Sequence, residues 1–126
     1  MTERVTSVAP DTPLDAIAAT LVGEAISGVP VVDASEAVVG MVTESDIITA
    51  LLRQDAADTP ARTLMSAPAI TIDEFAPTDE VITVLRERRI HHLPVVRAGK
   101  LVGIIAPSDV LRYFVERDLP TPPEAG

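Results

Sequence analysis

The stretch GMVTESD, residues 40–46, closes an apolar run with the hydroxyl of Thr43 and, three positions on, the carboxylate of Asp46. Thr-x-x-Asp at the start of a helical pattern has the outline of a capping box. The hydroxyl accepts from a backbone N–H, and the carboxylate reaches back to the N-cap amide and favours the positive end of the helix. The same geometry suits a ligand. A helix N-terminus offers unpaired N–H groups to an anion, and the Thr43 hydroxyl can donate to a phosphate or ribose oxygen. The two acceptor oxygens of Asp46 match the paired 2′ and 3′ hydroxyls of a ribose. Gly40 would let the backbone approach closely. Capping and ligation both stand on these residues, and they are not exclusive.

The elements that must position this pair are written twice. At an offset of 64, Pro13 matches Pro77, Asp15 matches Asp79, Leu21 matches Leu85, Ile26 matches Ile90, Pro30 matches Pro94 and Met1 matches Met65. One residue is lost in a turn, after which Gly40 matches Gly103, Asp46 matches Asp109 and Ile47 matches Val110 at an offset of 63. Each unit reads as a short strand (RVTSV, AITI), a helix entered at Pro13 or Pro77, two apolar runs joined by a turn, and a closing helix (ESDIITALLR, PSDVLRYFVER). Proline suits a first helical turn because no N–H is needed there. Leu14, Ile17, Leu21 and Val22 make one apolar helix face, and Val81, Val84 and Leu85 its narrower counterpart, where Arg86 replaces Val22. In RAGK, residues 97–100, Gly99 is free to take positive φ between two strands. The order is β-α-β-β-α, twice, an α+β fold. A three-stranded unit cannot cover both faces of its sheet alone, so the copies should pack together. The units span residues 1–54 and 64–117, with a linker at 55–63 and a tail at 118–126 whose three prolines suggest disorder.

The second copy tests the chemistry of the first. There the element reads GIIAPSD, residues 103–109. Ala106 stands where the first copy has Thr43, and Ala cannot cap, a loss typically of about 1 kcal/mol. Pro107 at the first helical position compensates in part. Asp109 remains able to hold a ribose, while Ser108 points elsewhere. Arg112, one turn past Asp109, could meet a phosphate bidentately; its counterpart in the first copy is Thr49. The adjacent His91 and His92 invite a metal reading, but neighbours on an extended segment point to opposite faces and cannot easily chelate one ion. Arg86, Arg88 and Arg89 read as a solvated helix face, and Asp73 and Glu74 as ordinary surface acids. Nothing resembles a nucleophile elbow or a phosphate-binding loop.

Bulk properties bound the function. The chain has 126 residues, enough for a single core, and 47% apolar residues with only Phe75, Tyr113 and Phe114 as aromatics. There is no cysteine, hence no disulfide or thiolate site, which suits the cytoplasm. No apolar run approaches a membrane span, and the N-terminus lacks a signal core. The net charge of −9 argues against nucleic acid. Residues 1–63 carry 3 basic and 10 acidic side chains; residues 64–126 carry 7 and 9, so the second half has more counter-charge for a phosphate.

SGVPVVD at 27–33 resembles the G-h-P-h-h-D strand of the cystathionine-β-synthase (CBS) domain, h being apolar. GMVTESD resembles its G-h-x-T-x-x-D element, and VAPDTPLDAI the segment that opens its first helix. The resemblance runs from residue 1 to about 117. It implies two CBS repeats packed with pseudo-twofold symmetry, two clefts between them, adenosine-containing ligands, and no catalysis. It also implies that pairs form a homodimer. Thr43 and Asp46 would hold ribose and phosphate. The adenine slot would be lined by Thr6, Val8, Val29 and Pro30 in one copy and by Ile70, Ile72, Leu93 and Pro94 in the other; Val8, Val29 and Ile72 read equally as core residues. The Thr43/Asp46 cleft ranks first and the Asp109 cleft second. His92, in place of Gly28, would line or partly fill the second cleft and make binding there pH-sensitive.

The function expected is a sensor for AMP, ADP, ATP, NAD or S-adenosylmethionine that reports to an effector protein the sequence does not name. The negative charge favours AMP or another lightly charged adenosine compound as the regulatory ligand. The alternative is a ligand-free dimerisation or scaffold module in which Thr43 and Asp46 only cap. The start at Met1, inside the usual lead-in to the first strand, leaves room for a larger protein.

Overall fold

In the computed structural model, which describes residues 5–117, the β-α-β-β-α order appears twice. In the first copy Val8 leads as a single bridge residue. It is followed by α1 (Leu14–Gly23), β1 (Gly28–Val32), β2 (Val38–Thr43) and α2 (Glu44–Leu52). After a short helix α3 (Ala61–Leu64), the second copy runs β3 (Ile72–Asp73), α4 (Thr78–Arg88), β4 (Leu93–Arg97), β5 (Lys100–Ile105) and α5 (Pro107–Arg117).

Each copy is built on an antiparallel hairpin. Val31 pairs with Gly40 and Val95 with Gly103, and the register slips by one residue immediately after each valine. The lead-in strands are shorter than RVTSV and AITI suggest. Val8 alone joins β1, donating to the Pro30 carbonyl at 3.0 Å and accepting from Val32 at 2.8 Å, and only Ile72 and Asp73 join β4. Pro10 has no N–H with which to carry the first ladder on. The turns differ. In RAGK, Ala98 and Gly99 both take positive φ, 50° and 81°, the pattern of a two-residue hairpin turn. The longer DASEA turn is held by Asp33, whose carboxylate accepts from the Ser35 hydroxyl and from the Ser35 and Ala37 amides.

Two expectations are corrected here. Pro13 and Pro77 are not helical residues but N-caps, extended at ψ 156° and 154°. Their carbonyls open the helices by accepting from Ile17 and Val81. Val22 does not belong to the apolar face of α1: it is 83% exposed, because Leu14, Ile17 and Leu21 already cover the sheet.

The segment between the copies is part of the first. The Leu14 and Asp15 amides donate to the Thr59 and Ala57 carbonyls, and the Ala61 and Arg62 amides to the Thr12 and Pro10 carbonyls, all at 2.8–3.0 Å. Ala61 and Leu64 of α3 enter the same buried cluster as Leu14, Ile17, Val29, Val31, Val42, Ile47 and Ala50. The second core is smaller: Ile72, Val81, Leu85, Leu93 and Val95.

The copies meet along a seam. Met41 bridges Ser66, and the Leu101 amide donates to the Glu36 carbonyl at 3.1 Å. A Cβ on Gly28 would lie 3.2 Å from the His92 ring. Gly28 and His92 are counterparts at an offset of 64, and counterparts touch only near the axis that exchanges the copies. The tail from residue 118, expected to be disordered, and Met1 of the repeat alignment lie outside the described residues.

Candidate functional site

The seam holds a cavity of about 470 Å³, within the range of small-molecule sites. The first copy contributes Ser27, Met41, Thr43, Glu44 and Ser45. The second contributes its lead-in, Ser66 and Pro68 to Ile70, and the residues ahead of β4, Arg89 to His92. The cavity is therefore crossed: the helix N-terminus comes from one copy and the apolar lead-in from the other.

Thr43 ends β2 and caps α2, and the capping box is complete. Its amide donates to Asp46 Oδ2 at 2.8 Å, its hydroxyl donates to the same oxygen at 3.0 Å, and the Asp46 amide approaches Thr43 Oγ1 at 3.4 Å. Capping does not exhaust the pair. Asp46 Oδ1 and the Ser45 amide have no partner among the described residues, whereas the Glu44 amide is used by the Ser27 carbonyl at 2.9 Å. Thr43 borders the cavity; Asp46 lies half-buried one turn behind it.

His92 is placed in this cavity rather than in the cleft of Asp109, because it sits on the axis facing Gly28 and Ser27. Its Nε2 is 2.7 Å from the Ser27 hydroxyl. Burial pushes its pKa below the ordinary 6.5, and neighbouring His91 lowers it further, against an opposing pull from Glu44. His91 borders the same cavity, although strand geometry would send it to the opposite face. The pleat starts only at Leu93, so alternation does not yet apply to this pair. Among the described residues, no cluster of three metal-ligating groups forms.

Arg89 also reaches the cavity. It caps α4 in the left-handed region, φ 52°, and is exposed, as Arg86 and Arg88 are. It has no hydrogen-bond or ion-pair partner among the described residues, so the cavity wall carries one unneutralised cation opposite Glu44. The repeat alignment held the signal for Arg89: its counterpart, Ala25, takes the same left-handed turn at φ 53° without a charge.

The remaining candidates are distributed unevenly. Ile70 lines the large cavity. Val8, Val29, Pro30, Leu93 and Pro94 are buried in the sheets and fill the cores. The Thr6 hydroxyl donates to the Glu24 carboxylate. Gly40 does give a close approach, but to the protein itself: a Cβ there would meet the Met65 side chain and lie 2.9 Å from the Ser66 carbonyl oxygen. Asp109 and Ile72 border a separate cavity of about 210 Å³ inside the second copy. Both Asp109 oxygens are engaged, Oδ2 by the Ala106 amide at 2.7 Å and Oδ1 by Arg112 at 3.1 Å. Arg112 is thus tied to its own carboxylate rather than offered to a phosphate.

A two-copy α+β unit with a small-molecule-sized cleft at the seam, bordered by a capped helix start, is the class these observations define. The CBS domain family model matches residues 1–53 and 61–116, and the chain belongs to that family. An uncharacterised protein of Methanopyrus kandleri is 31% identical over 90 residues, 69% of this chain; the match spans 46% of that relative, under half its length. The crystal structure of CBSX2 in complex with AMP superposes with a TM-score of 0.80 at 27% identity, covering 92% of both chains. The CBS domain pair of protein MJ0100, in complex with 5′-methylthioadenosine and S-adenosyl-L-methionine, gives 0.80 at 26% identity over 90% of both. No helix among the described residues is long and apolar enough to cross a membrane.

Proposed function

We propose that this chain is a regulatory sensor that binds one lightly charged adenosine compound, AMP foremost, in the cavity beside Thr43. The observation that carries this reading is the crossed cavity: a helix start with an unused Ser45 amide faces an apolar lead-in and the unpaired Arg89, and Asp46 Oδ1 is left over one turn behind Thr43. In this reading Ile70 and Pro68 flank the adenine. Asp46 Oδ1 takes a ribose hydroxyl, and the Ser45 amide with Arg89 takes the phosphate. Glu44 at the same wall disfavours added negative charge, so a monophosphate fits better than a triphosphate. The AMP, methylthioadenosine and S-adenosylmethionine bound by the two similar structures support the adenosine class.

The two repeats, residues 1–54 and 64–117, act in this reading as one unit by binding rather than by catalysis. Occupancy reaches an effector protein, and the absence of cysteine suits the cytoplasm. A homodimer is supported by apolar side chains exposed at repeat-related positions: Ile48, Leu51 and Leu52 on α2, and Leu111, Phe114 and Val115 on α5 at an offset of 63. Faces of this kind suit a second copy.

A second reading, a ligand-free scaffold, is favoured by the completeness of the capping box. Thermal melting with AMP separates the two. A ligand at 100 times its Kd adds about 2.7 kcal/mol, which raises Tm by several degrees. Asp46→Asn keeps an N3 side chain but removes the carboxylate charge and should erase most of the shift. No shift with AMP, methylthioadenosine or S-adenosylmethionine leaves the scaffold reading.

A further inference from the structure

Glu44, Arg89, His91 and His92 are the titratable side chains that line the seam cavity. The first three are exposed, and His92 is half-buried. Its ring packs on Gly28, where a Cβ would lie 3.2 Å away, and its Nε2 is 2.7 Å from the Ser27 hydroxyl. The Ser27 carbonyl accepts from the Glu44 amide at 2.9 Å. Ser27 therefore ties the ring of one copy to the helix start of the other, the start that takes the phosphate in the reading above.

This contact can form only once. Ser27 and His91 are counterparts, as are Gly28 and His92. Its image across the axis would join Gly28 to His91, and Gly28 has no side chain to offer.

Few charges face the ring. Glu44 borders the cavity from α2, Arg89 from the end of α4 and His91 from the ring's own segment. The residue before β1, the residues of β2 and the lead-in of the second copy add only uncharged side chains to the wall. Glu44 and Arg89 offset each other. A phosphate monoester near pH 7 carries a charge of about −1.5 to −2, and only the partial positive end of α2 then opposes it. His92 can make up the difference. Burial, helped by His91, keeps it neutral in the free protein at pH 7, and an incoming anion acts against both effects. Ser27 allows the change in place, because a hydroxyl donates to a bare Nε2 and accepts from a protonated one.

We propose that a phosphate-bearing ligand enters the seam cavity together with a proton, which His92 takes up, so that a nucleoside monophosphate binds more tightly as pH falls. This rests on the ligand reading above and adds a second input to the same site. Affinity rises as pH drops through the pKa that His92 has in the complex, and levels off below the pKa it has in the free protein.

NMR titration of the imidazole rings tests it, on the full chain alone, with saturating AMP and with 5′-methylthioadenosine, which has no phosphate. AMP should keep His92 protonated to higher pH than in the free protein, and methylthioadenosine should not. Calorimetry gives a second readout. AMP should bind about tenfold more tightly at pH 5.5 than at pH 8, after division by the same ratio for His92→Gln. That division removes the titration of the AMP phosphate itself, and glutamine keeps a hydrogen-bonding partner for Ser27. AMP that binds with His92 unmoved, or with His91 moving in its place, overturns the proposal and leaves the sensor reading standing. An equal move with methylthioadenosine does the same. AMP that fails to bind at any pH overturns both.

Discussion

The first copy ends its hairpin on Thr43, whose hydroxyl and amide both reach Asp46, and buries Ile47 and Ala50 of the following helix beneath α3. The second ends on Ala106, leaves only the amide bond to Asp109, and gives the outer oxygen of that carboxylate to Arg112. One sequence pattern has thus been put to two uses. In the first copy the carboxylate has an oxygen to spare, one turn behind the Thr43 that borders the seam cavity. In the second, the ion pair spends it, and the neighbouring hollow is smaller and lies within one copy. The difference teaches that a motif match locates a geometry and not a site. What the atoms of the motif have left over after building the fold decides whether a ligand can be held.

The largest test of that contrast removes what closes the first core. Leu64→Ala should cost about 2–5 kcal/mol and lower Tm by roughly 10 °C, with amides of α2 exposed to exchange before those of α5. Unchanged stability would mean that α3 is not part of the first core. Next, Gly40→Ala drives a methyl into Met65 and the Ser66 carbonyl and should destabilise by about 1–3 kcal/mol in chemical denaturation. A neutral result would show that the seam is loose there.

The cap exchange is smaller and reciprocal. Thr43→Ala should lose about 1 kcal/mol, and Ala106→Thr should recover a similar amount by completing the second box. If Ala106→Thr gains nothing, Pro107 already satisfies that helix start.

The smallest effect is on pH. His92 has a folded pKa below the 6.5 of the unfolded chain, so the unfolded state binds more protons as pH falls through 6.5. The stability held by neutral His92 is complete above that value and declines below it towards the folded pKa. The facing groups, Glu44, His91 and Arg89, remain in place in His92→Gln, which should flatten the Tm profile between pH 7.5 and 5.5. A profile as steep as the parent's would assign the dependence to another group. The lowered carboxylates Asp33 and Glu74 act only at more acid pH.

Much was legible in the chain because it is local. The prolines, the apolar spacing and the repeat gave the element order, and Gly99 the hairpin turn. Thr43 and Asp46 announced a cap that three bonds now make. Other features were hidden because they depend on what lies across the seam. Arg89 looked like one arginine in a solvated row; it is exposed, but as the left-handed C-cap of α4 it also borders the seam cavity. The space over Gly40 looked like room for a ligand until Met65 filled it. Val29, Pro30, Leu93 and Pro94 carried the right types for a slot, but the sheets enclose them.

The sequence by itself determined that there are two copies, that Thr43 starts α2, and which copy keeps the hydroxyl, since all of these follow from residue identity over short spans. Only the tertiary structure decided that the cleft is crossed, that His92 stands on the axis beside Ser27, and that Asp109 is closed by Arg112. Those facts depend on distances between residues far apart in the chain or on a side-chain rotamer, and neither periodicity nor composition records them.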